Sequence, residues 1–396
     1  MTREIHHFIN GKSVVGTSGQ FGDVYNPNTG QVQARVQFAT PDEVAKAVDD
    51  AKAAQIKWAA MNPQRRARVL MTYKSLVEAE MESLAELLSS EHGKVIADAK
   101  GDLVRGLEVV EFACGVPHLM KGEYTESAGP GIDVYSMRQP LGVVAGISPF
   151  NFPAMIPMWF MGMALATGNA MILKPSEKDP SVPVRLAELM IEAGLPEGVL
   201  QIVHGDKTAV DALLHNDDIK AVSFVGSSAI AQYIAQTCAQ QGKRFQAMGG
   251  AKNHGIIMPD ADMDQVVNDF LGAAFGSAGE RCMALPVAVP VGKDTADEFV
   301  GRILEEAAKL RVGVSTDADA HYGPVVSSAH RTSIEKWIQT GVDEGADLLL
   351  DGRGFELQGH EKGFFIGPSL FDNVKPTMSS YQEEIFGPVL QVVRAD

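Results

Sequence analysis

Three side chains in this 396-residue chain could act as sulfur nucleophiles: Cys114, Cys238 and Cys282. Cys114 and Cys238 lie inside helical patterns (EFACGV and YIAQTCAQ), where a cysteine is a small apolar packing residue. Cys282 ends the run Gly276-Ser277-Ala278-Gly279-Glu280-Arg281-Cys282, directly after an arginine. Adjacent positive charge, or a helix N-terminus, lowers the pKa of a thiol and makes the thiolate available for attack on an electrophilic carbon. A buried, unreactive thiol is the alternative, and chemistry alone leaves both readings open. An odd number of cysteines with no C-x-x-C spacing excludes a disulfide scaffold and a cysteine-rich zinc site, and no metal site is expected. A free-thiol chain of this kind fits a reducing compartment, so a cytoplasmic location is expected. Lys174 and Glu177 also carry useful charge, although by themselves they read as a solvated surface pair. There is no G-x-x-x-x-G-K-[ST], H-E-x-x-H, G-x-S-x-G or G-x-G-x-x-G, so a bound dinucleotide would lack the usual phosphate turn.

Positioning such groups falls to alternating strands and helices. Residues 41–60, 65–92 and 100–119 carry apolar positions at helical spacing, and 120–140 changes to short alternating stretches around Gly129-Pro130-Gly131, which predicts a β-hairpin. Apolar runs at 143–147, 170–173, 199–203 and 221–225 alternate with helical patterns at 154–167 and 181–193, which predicts a parallel, doubly wound sheet. Ligands bind such sheets beyond the carboxyl ends of the strands, so 148–151, 174–177, 204–207 and 226–228 are site candidates by position. A second α/β region starts near 254, with helical patterns at 263–277 and 294–310 and strand-like runs at 285–291, 347–350 and 388–393. The last run lies so near the C-terminus that a truncated second domain is expected.

Composition narrows the classes further. Apolar residues make up 45% and charged residues 21%, which excludes disorder, collagen and coiled coil. A formal charge of −16 predicts no general attraction to nucleic acid or anionic membrane. The stretch 139–173 has no charged residue, but Pro149, Pro153 and Pro157 break it too often for a membrane helix. No export or organelle signal is legible at the N-terminus.

Five motifs occur in order: Pro149-Phe150-Asn151-Phe152-Pro153, Lys174-Pro175-Ser176-Glu177, Phe224-Val225-Gly226-Ser227-Ser228, Gly279-Glu280-Arg281-Cys282 and Glu383-Glu384-Ile385-Phe386-Gly387-Pro388. Together they resemble the aldehyde dehydrogenase superfamily along the whole chain. The resemblance implies an aldehyde dehydrogenase-like α/β fold with a doubly wound, Rossmann-type NAD-binding domain (1–117 and 141–247). It also implies an oligomerisation hairpin (118–140) and an α/β catalytic domain (248–396). Catalytic roles would fall to Cys282, which attacks the aldehyde, and to Asn151, whose amide with the Cys282 N–H stabilises the oxyanion. NAD would be bound by Ser148 and Phe150, by Lys174 and Glu177 at the adenosine ribose, by Gly226 and Ser227 at the pyrophosphate, and by Glu384 and Phe386 at the nicotinamide end. A homo-oligomer, dimer or tetramer, is also implied, in which the hairpin pairs with a strand that this sequence does not contain.

One departure bears on the reaction. Family members place a water-activating glutamate 34 residues before the cysteine, and here that position is Met248. A thioether cannot accept a proton, so water should deacylate the enzyme poorly. A thiol is already partly ionised near neutrality, which favours coenzyme A as the acyl acceptor. Gly250-Ala251-Lys252-Asn253-His254-Gly255 and Arg281-Cys282-Met283-Ala284 resemble the CoA-acylating methylmalonate-semialdehyde branch. Its substrates carry a carboxylate that Arg105 and Arg281 would bind, and its products are propionyl-CoA or acetyl-CoA with loss of carbon dioxide. Hydrolysis with Glu280 as base is the alternative. A catalytically silent member is a third reading, against which the intact Cys282 and Asn151 argue.

Overall fold

The computed structural model describes residues 2–396. The chain forms two compact units: residues 1–24, 34–85 and 100–249 make the first, and residues 25–33, 86–99 and 250–396 the second. Segments 25–33 and 86–99 thus join the second unit, although the sequence reading places them in the first domain.

The first unit is built on a seven-stranded sheet in the order Arg244–Met248, Ile219–Val225, Val143–Ile147, Ala170–Lys174, Leu200–Ile202, His7–Ile9, Lys12–Val14. The first five strands are parallel. The last two join antiparallel, so the sheet is mixed rather than wholly parallel as expected. Those two come from the N-terminal segment, which needs no crossover helix to reach the sheet edge. Every residue of Val143–Ile147 and Ala170–Lys174 is buried, as strands covered by helices on both faces must be. Strand order reverses on either side of Val143–Ile147, and this is the switch point at which such sheets open a crevice.

Helix Pro41–Ala60 begins with a reciprocal capping box between Thr40 and Glu43. The 65–92 pattern proves to be two helices, Pro63–Ala79 and Met81–His92, because Glu80 leaves helical geometry, its carboxylate bound to Arg185 at 2.6 Å. The 100–119 pattern starts earlier, at Ile96, and breaks at Gly115 ahead of Pro117. Tyr124–Gly129 and Ile132–Tyr135 form the expected hairpin, with Tyr124, Ile132, Val134 and Tyr135 all exposed. His7 and His204 stack inside this unit with ring centroids 5.7 Å apart, and the His204 N–H donates to His7 Nδ1 at 3.1 Å.

The second unit holds a five-stranded sheet in the order His254–Ile257, Val287–Pro290, Val389–Val392, Ser369–Asp372, Asp347–Leu350, parallel except for the last strand. Its core includes Phe270, Phe275, Phe299, Ile334, Phe371 and Leu390. Helix Ser328–Asp343, which the sequence reading leaves unassigned, packs over this sheet. Among the described residues no helix is long and apolar enough to cross a membrane, and no group of three or more His, Cys, Asp or Glu could hold a metal ion.

Candidate active site

In the first unit the carboxyl ends of the central strands open a cleft. Its walls include Ser148, Phe150, Lys174, Glu177, Gly226 and Ser227, so six residues predicted from separate motifs come together. Lys174 is 6% exposed and donates to Glu177 at 3.2 Å, which makes the pair part of the cleft wall and not a solvated surface pair. Burial pushes the Glu177 carboxyl up, but the Lys174 charge and hydrogen bond, a backbone hydrogen bond and the Lys178 charge together outweigh it and hold the group below its ordinary pKa. A Cβ at 226 would lie 2.4 Å from the Phe224 ring, so any residue other than glycine would have to displace that ring. Ser227 is the N-cap of helix Ser228–Gln240, yet its side chain makes no capping bond, which leaves a first-turn N–H for an anion. Lys178 lies 4.3 Å from the centre of the Phe150 ring. Asn151 follows the same strand end and is 4% exposed. Arg105 lies on helix Ile96–Cys114, exposed, with Nη1 donating to the Gly101 carbonyl.

Position 248 ends the edge strand Arg244–Met248, and the Met248 side chain is 42% exposed. The O of Met248 accepts from the Gly226 N–H at 3.1 Å, which ties this strand end to the Gly226 turn.

In the second unit Cys282 sits on a turn between a 3-10 segment, Gly276–Gly279, and strand Val287–Pro290. Ser277 and Ala278 both adopt left-handed backbone angles, at φ 53° and 54°, followed by Gly279 at 71°. Arg281 does not activate the thiol as its sequence position suggests. Its guanidinium pairs with Asp98 at 2.6 Å and with the Gly272 carbonyl at 3.2 Å. Burial pushes the Cys282 thiol up and the charge of Glu384 adds to this; backbone hydrogen bonds and Lys94 oppose it without cancelling it. Glu280 is wholly buried, with Oε1 accepting from the Val326 N–H at 3.2 Å and His330 and His92 beside it.

Glu384 and Phe386 lie on the loop after helix Ser379–Gln382. Burial raises the Glu384 pKa above its ordinary value, while one carboxylate oxygen accepts from the Ala251 N–H. Phe386 also has a left-handed backbone, at φ 59°, and its carbonyl is bound by His330 Nε2 at 2.7 Å. Lys94, His330, Lys252 and Asn253 belong to this neighbourhood and were missed as site residues. Only Lys252 and Asn253 had a signal, the Gly-Ala-Lys-Asn motif itself, whereas His330 lies on the helix that sequence pattern does not reveal.

Residues 14–396 match the aldehyde dehydrogenase family. The chain belongs to that family. Among its relatives, the malonate-semialdehyde dehydrogenase of Pseudomonas aeruginosa is 50% identical over 99% of this chain and 79% of the relative. The human mitochondrial acylating methylmalonate-semialdehyde/malonate-semialdehyde dehydrogenase is 45% identical over 98% of this chain and 72% of the relative. Among solved structures, a Sinorhizobium meliloti 1021 protein in complex with NAD is 60% identical with a TM-score of 0.98, covering 100% of this chain and 80% of that one. The methylmalonate-semialdehyde dehydrogenase of Oceanimonas doudoroffii is 51% identical with a TM-score of 0.97, over the same shares. The aldehyde dehydrogenase fold expected from the five motifs is therefore present.

Proposed function

We propose that this aldehyde dehydrogenase is an NAD-dependent, CoA-acylating oxidoreductase that converts malonate or methylmalonate semialdehyde to acetyl-CoA or propionyl-CoA and carbon dioxide. The observation that carries the choice of acceptor is the thioether at position 248, where the family's water-activating carboxylate would stand. Burial weakens the hydrolytic alternative, because Glu280 has no exposed surface, its Oε1 accepts from the Val326 N–H and its two oxygens lie beside His330 and His92. A general base must reach the water it deprotonates.

The first unit's cleft suits an adenine dinucleotide. It offers an ionised carboxylate beside a buried lysine for the ribose, a glycine turn and an uncapped helix start for the pyrophosphate, and apolar walls. NAD, when bound, supplies the hydride acceptor. Attack by the Cys282 sulfur on the aldehyde carbon gives a tetrahedral thiohemiacetal whose oxyanion takes hydrogen bonds from the Asn151 amide and the Cys282 N–H. Loss of hydride leaves a thioester on Cys282. Its acyl group carries a carboxylate β to the thioester carbonyl, so carbon dioxide leaves with the electron pair drained toward that carbonyl, and the enolate that results takes a proton from solvent at its carbon. Attack by the CoA thiol then releases the shortened acyl group and frees the cysteine thiolate. Arg105 and Arg281 are the assigned carboxylate donors, and for Arg281 the substrate must compete with Asp98.

The chain is read as a cytoplasmic homo-oligomer, a dimer or a tetramer. Free thiols support the compartment. The exposed aromatic and aliphatic side chains of the hairpin support the assembly, since a lone two-stranded hairpin is marginal in water.

The test is NADH formation from malonate semialdehyde with NAD, with and without CoA, beside Cys282→Ala. A stoichiometric burst without CoA, sustained turnover with it and no burst from Cys282→Ala are expected. Equal turnover with and without CoA would sink the acylating reading.

A further inference from the structure

Four consecutive residues of the second unit reach two different segments. The Ala251 N–H donates to Glu384 at 3.2 Å. Lys252 Nζ donates to the carbonyls of Ser380 and Glu383, at 3.0 and 2.8 Å. Asn253 Nδ2 donates to the carbonyls of Cys282 and Ala284, both at 2.9 Å. The His254 ring meets Tyr381 edge-on, with Nε2 2.8 Å from the Tyr381 hydroxyl. Odd and even positions do not simply split in space: three of the four hold the 380–384 loop, and Asn253 alone holds the turn that carries the nucleophile.

We infer that Lys252 and Asn253 are positioning residues, Lys252 for the Glu384 loop that receives the nicotinamide ribose and Asn253 for the backbone of the Cys282 turn. The inference rests on the cofactor reading above and extends it to side chains that touch neither substrate nor cofactor. An ammonium bound to two carbonyls is a charge-assisted anchor that a neutral side chain reproduces poorly. Its environment supports a specific role, since burial pulls Lys252 down to about 8 against the opposing charges of Glu384 and Glu383. A lysine serving solubility would remain in water. The single amide of Asn253 spans two carbonyls that flank Met283, and this fixes both peptide planes on the C-terminal side of the nucleophile. At the other end of the same loop, Glu344 accepts from the N–H groups of Ser379 and Ser380. The segment is thus tied at both ends, and Lys252, bound to the Ser380 and Glu383 carbonyls, spans it beside the Ala251 contact to Glu384.

Two readouts separate these roles from general support of the fold. NAD affinity is measured by quenching of protein fluorescence, and Cys282 reactivity by its rate of alkylation with iodoacetamide. Both are taken on the full chain and on Lys252→Gln, Lys252→Arg and Asn253→Ala. Lys252→Gln keeps an amide N–H pair but loses the charge, and its unfolding midpoint is recorded beside the others. Lys252→Gln is expected to weaken NAD binding about tenfold, with most of it restored in Lys252→Arg, while the alkylation rate without NAD stays within about twofold. Asn253→Ala is expected to show the reverse: NAD affinity within about twofold, and an alkylation rate changed by about threefold or more. Equal effects of Lys252→Gln and Lys252→Arg, or parallel shifts of both readouts in every variant, would mean general support of the fold and overturn the inference. Unchanged readouts in variants of a chain that binds NAD normally would overturn it too, and leave the cofactor reading intact. No NAD binding by the unaltered chain would sink both.

Discussion

At the scale of single residues, Glu177 illustrates how a partner decides what a side chain does. Next to Lys174 its carboxyl stays ionised at neutral pH although it is half-buried. An anion at that place accepts from a ribose 2′-hydroxyl and repels a 2′-phosphate. Glu177→Gln should therefore improve use of NADP relative to NAD by about tenfold, equivalent to about 1.4 kcal/mol. Comparison of kcat/KM for the two cofactors checks this, and an unchanged ratio would remove Glu177 from cofactor choice. Cys282 teaches the opposite lesson. Its sequence neighbour Arg281 suggested activation, but charge acts through space, and the guanidinium is taken up by Asp98 while burial raises the thiol. Adjacent positions in a chain say little about which charges meet.

At the scale of elements, the turn Ser277–Gly279 is one stretch of left-handed backbone separated from Cys282 by Glu280 and Arg281. Each non-glycine residue in that conformation costs about 1 kcal/mol or more. The turn persists because Ser277, Ala278 and Gly279 are buried and the Glu280 N–H closes on the Ser277 carbonyl at 3.0 Å. A Cβ at Gly279 would fall 2.1 Å from the Gly387 carbonyl oxygen. Gly279→Ala is thus expected to cost about 3 kcal/mol or more, whereas Ala278→Gly, which relieves strain but adds chain entropy, should change stability by less than about 1 kcal/mol. Urea unfolding of both variants tests this, and a neutral Gly279→Ala would show that the Gly387 loop yields. None of this geometry was legible beforehand, because left-handed serine and alanine carry no local signature. The strands Val143–Ile147 and Ala170–Lys174 were legible almost to the residue, since burial on both faces leaves an unbroken apolar run. The half-exposed edge strand Arg244–Met248 and helix Ser328–Asp343 were not, their patterns being diluted by polar residues. The cofactor cleft could be located from strand ends alone, but the Lys252 and Asn253 contacts could not, because they depend on loops distant in sequence.

At the scale of the whole molecule, the stacked pair His7 and His204 links acidity to global stability. Burial lowers both: for His7 it outweighs the opposing charge of Glu43, and for His204 the neighbouring His7 adds to it, bringing His204 to about 3. In the unfolded chain each takes a proton near pH 6.5. The unfolded state therefore binds more protons as pH falls below 6.5, and the stability held at neutral pH is lost progressively down to the folded value. The expected loss is about 1.4 kcal/mol per pH unit for His204 alone. Urea midpoints between pH 7 and 5 should show a slope that flattens in His204→Asn, and an unchanged slope would exonerate the pair. A last consequence follows from the thioether at Met248, exposed at the end of its strand. On the acylating reading, with a thioether where the water-activating base would stand, an acylated enzyme waits for its thiol acceptor. When CoA runs short, catalysis halts in an occupied state, and no carbon drains away as free acid. Throughput then reports the supply of CoA, and the energy of each thioester formed by oxidation is kept in the CoA thioester that replaces it.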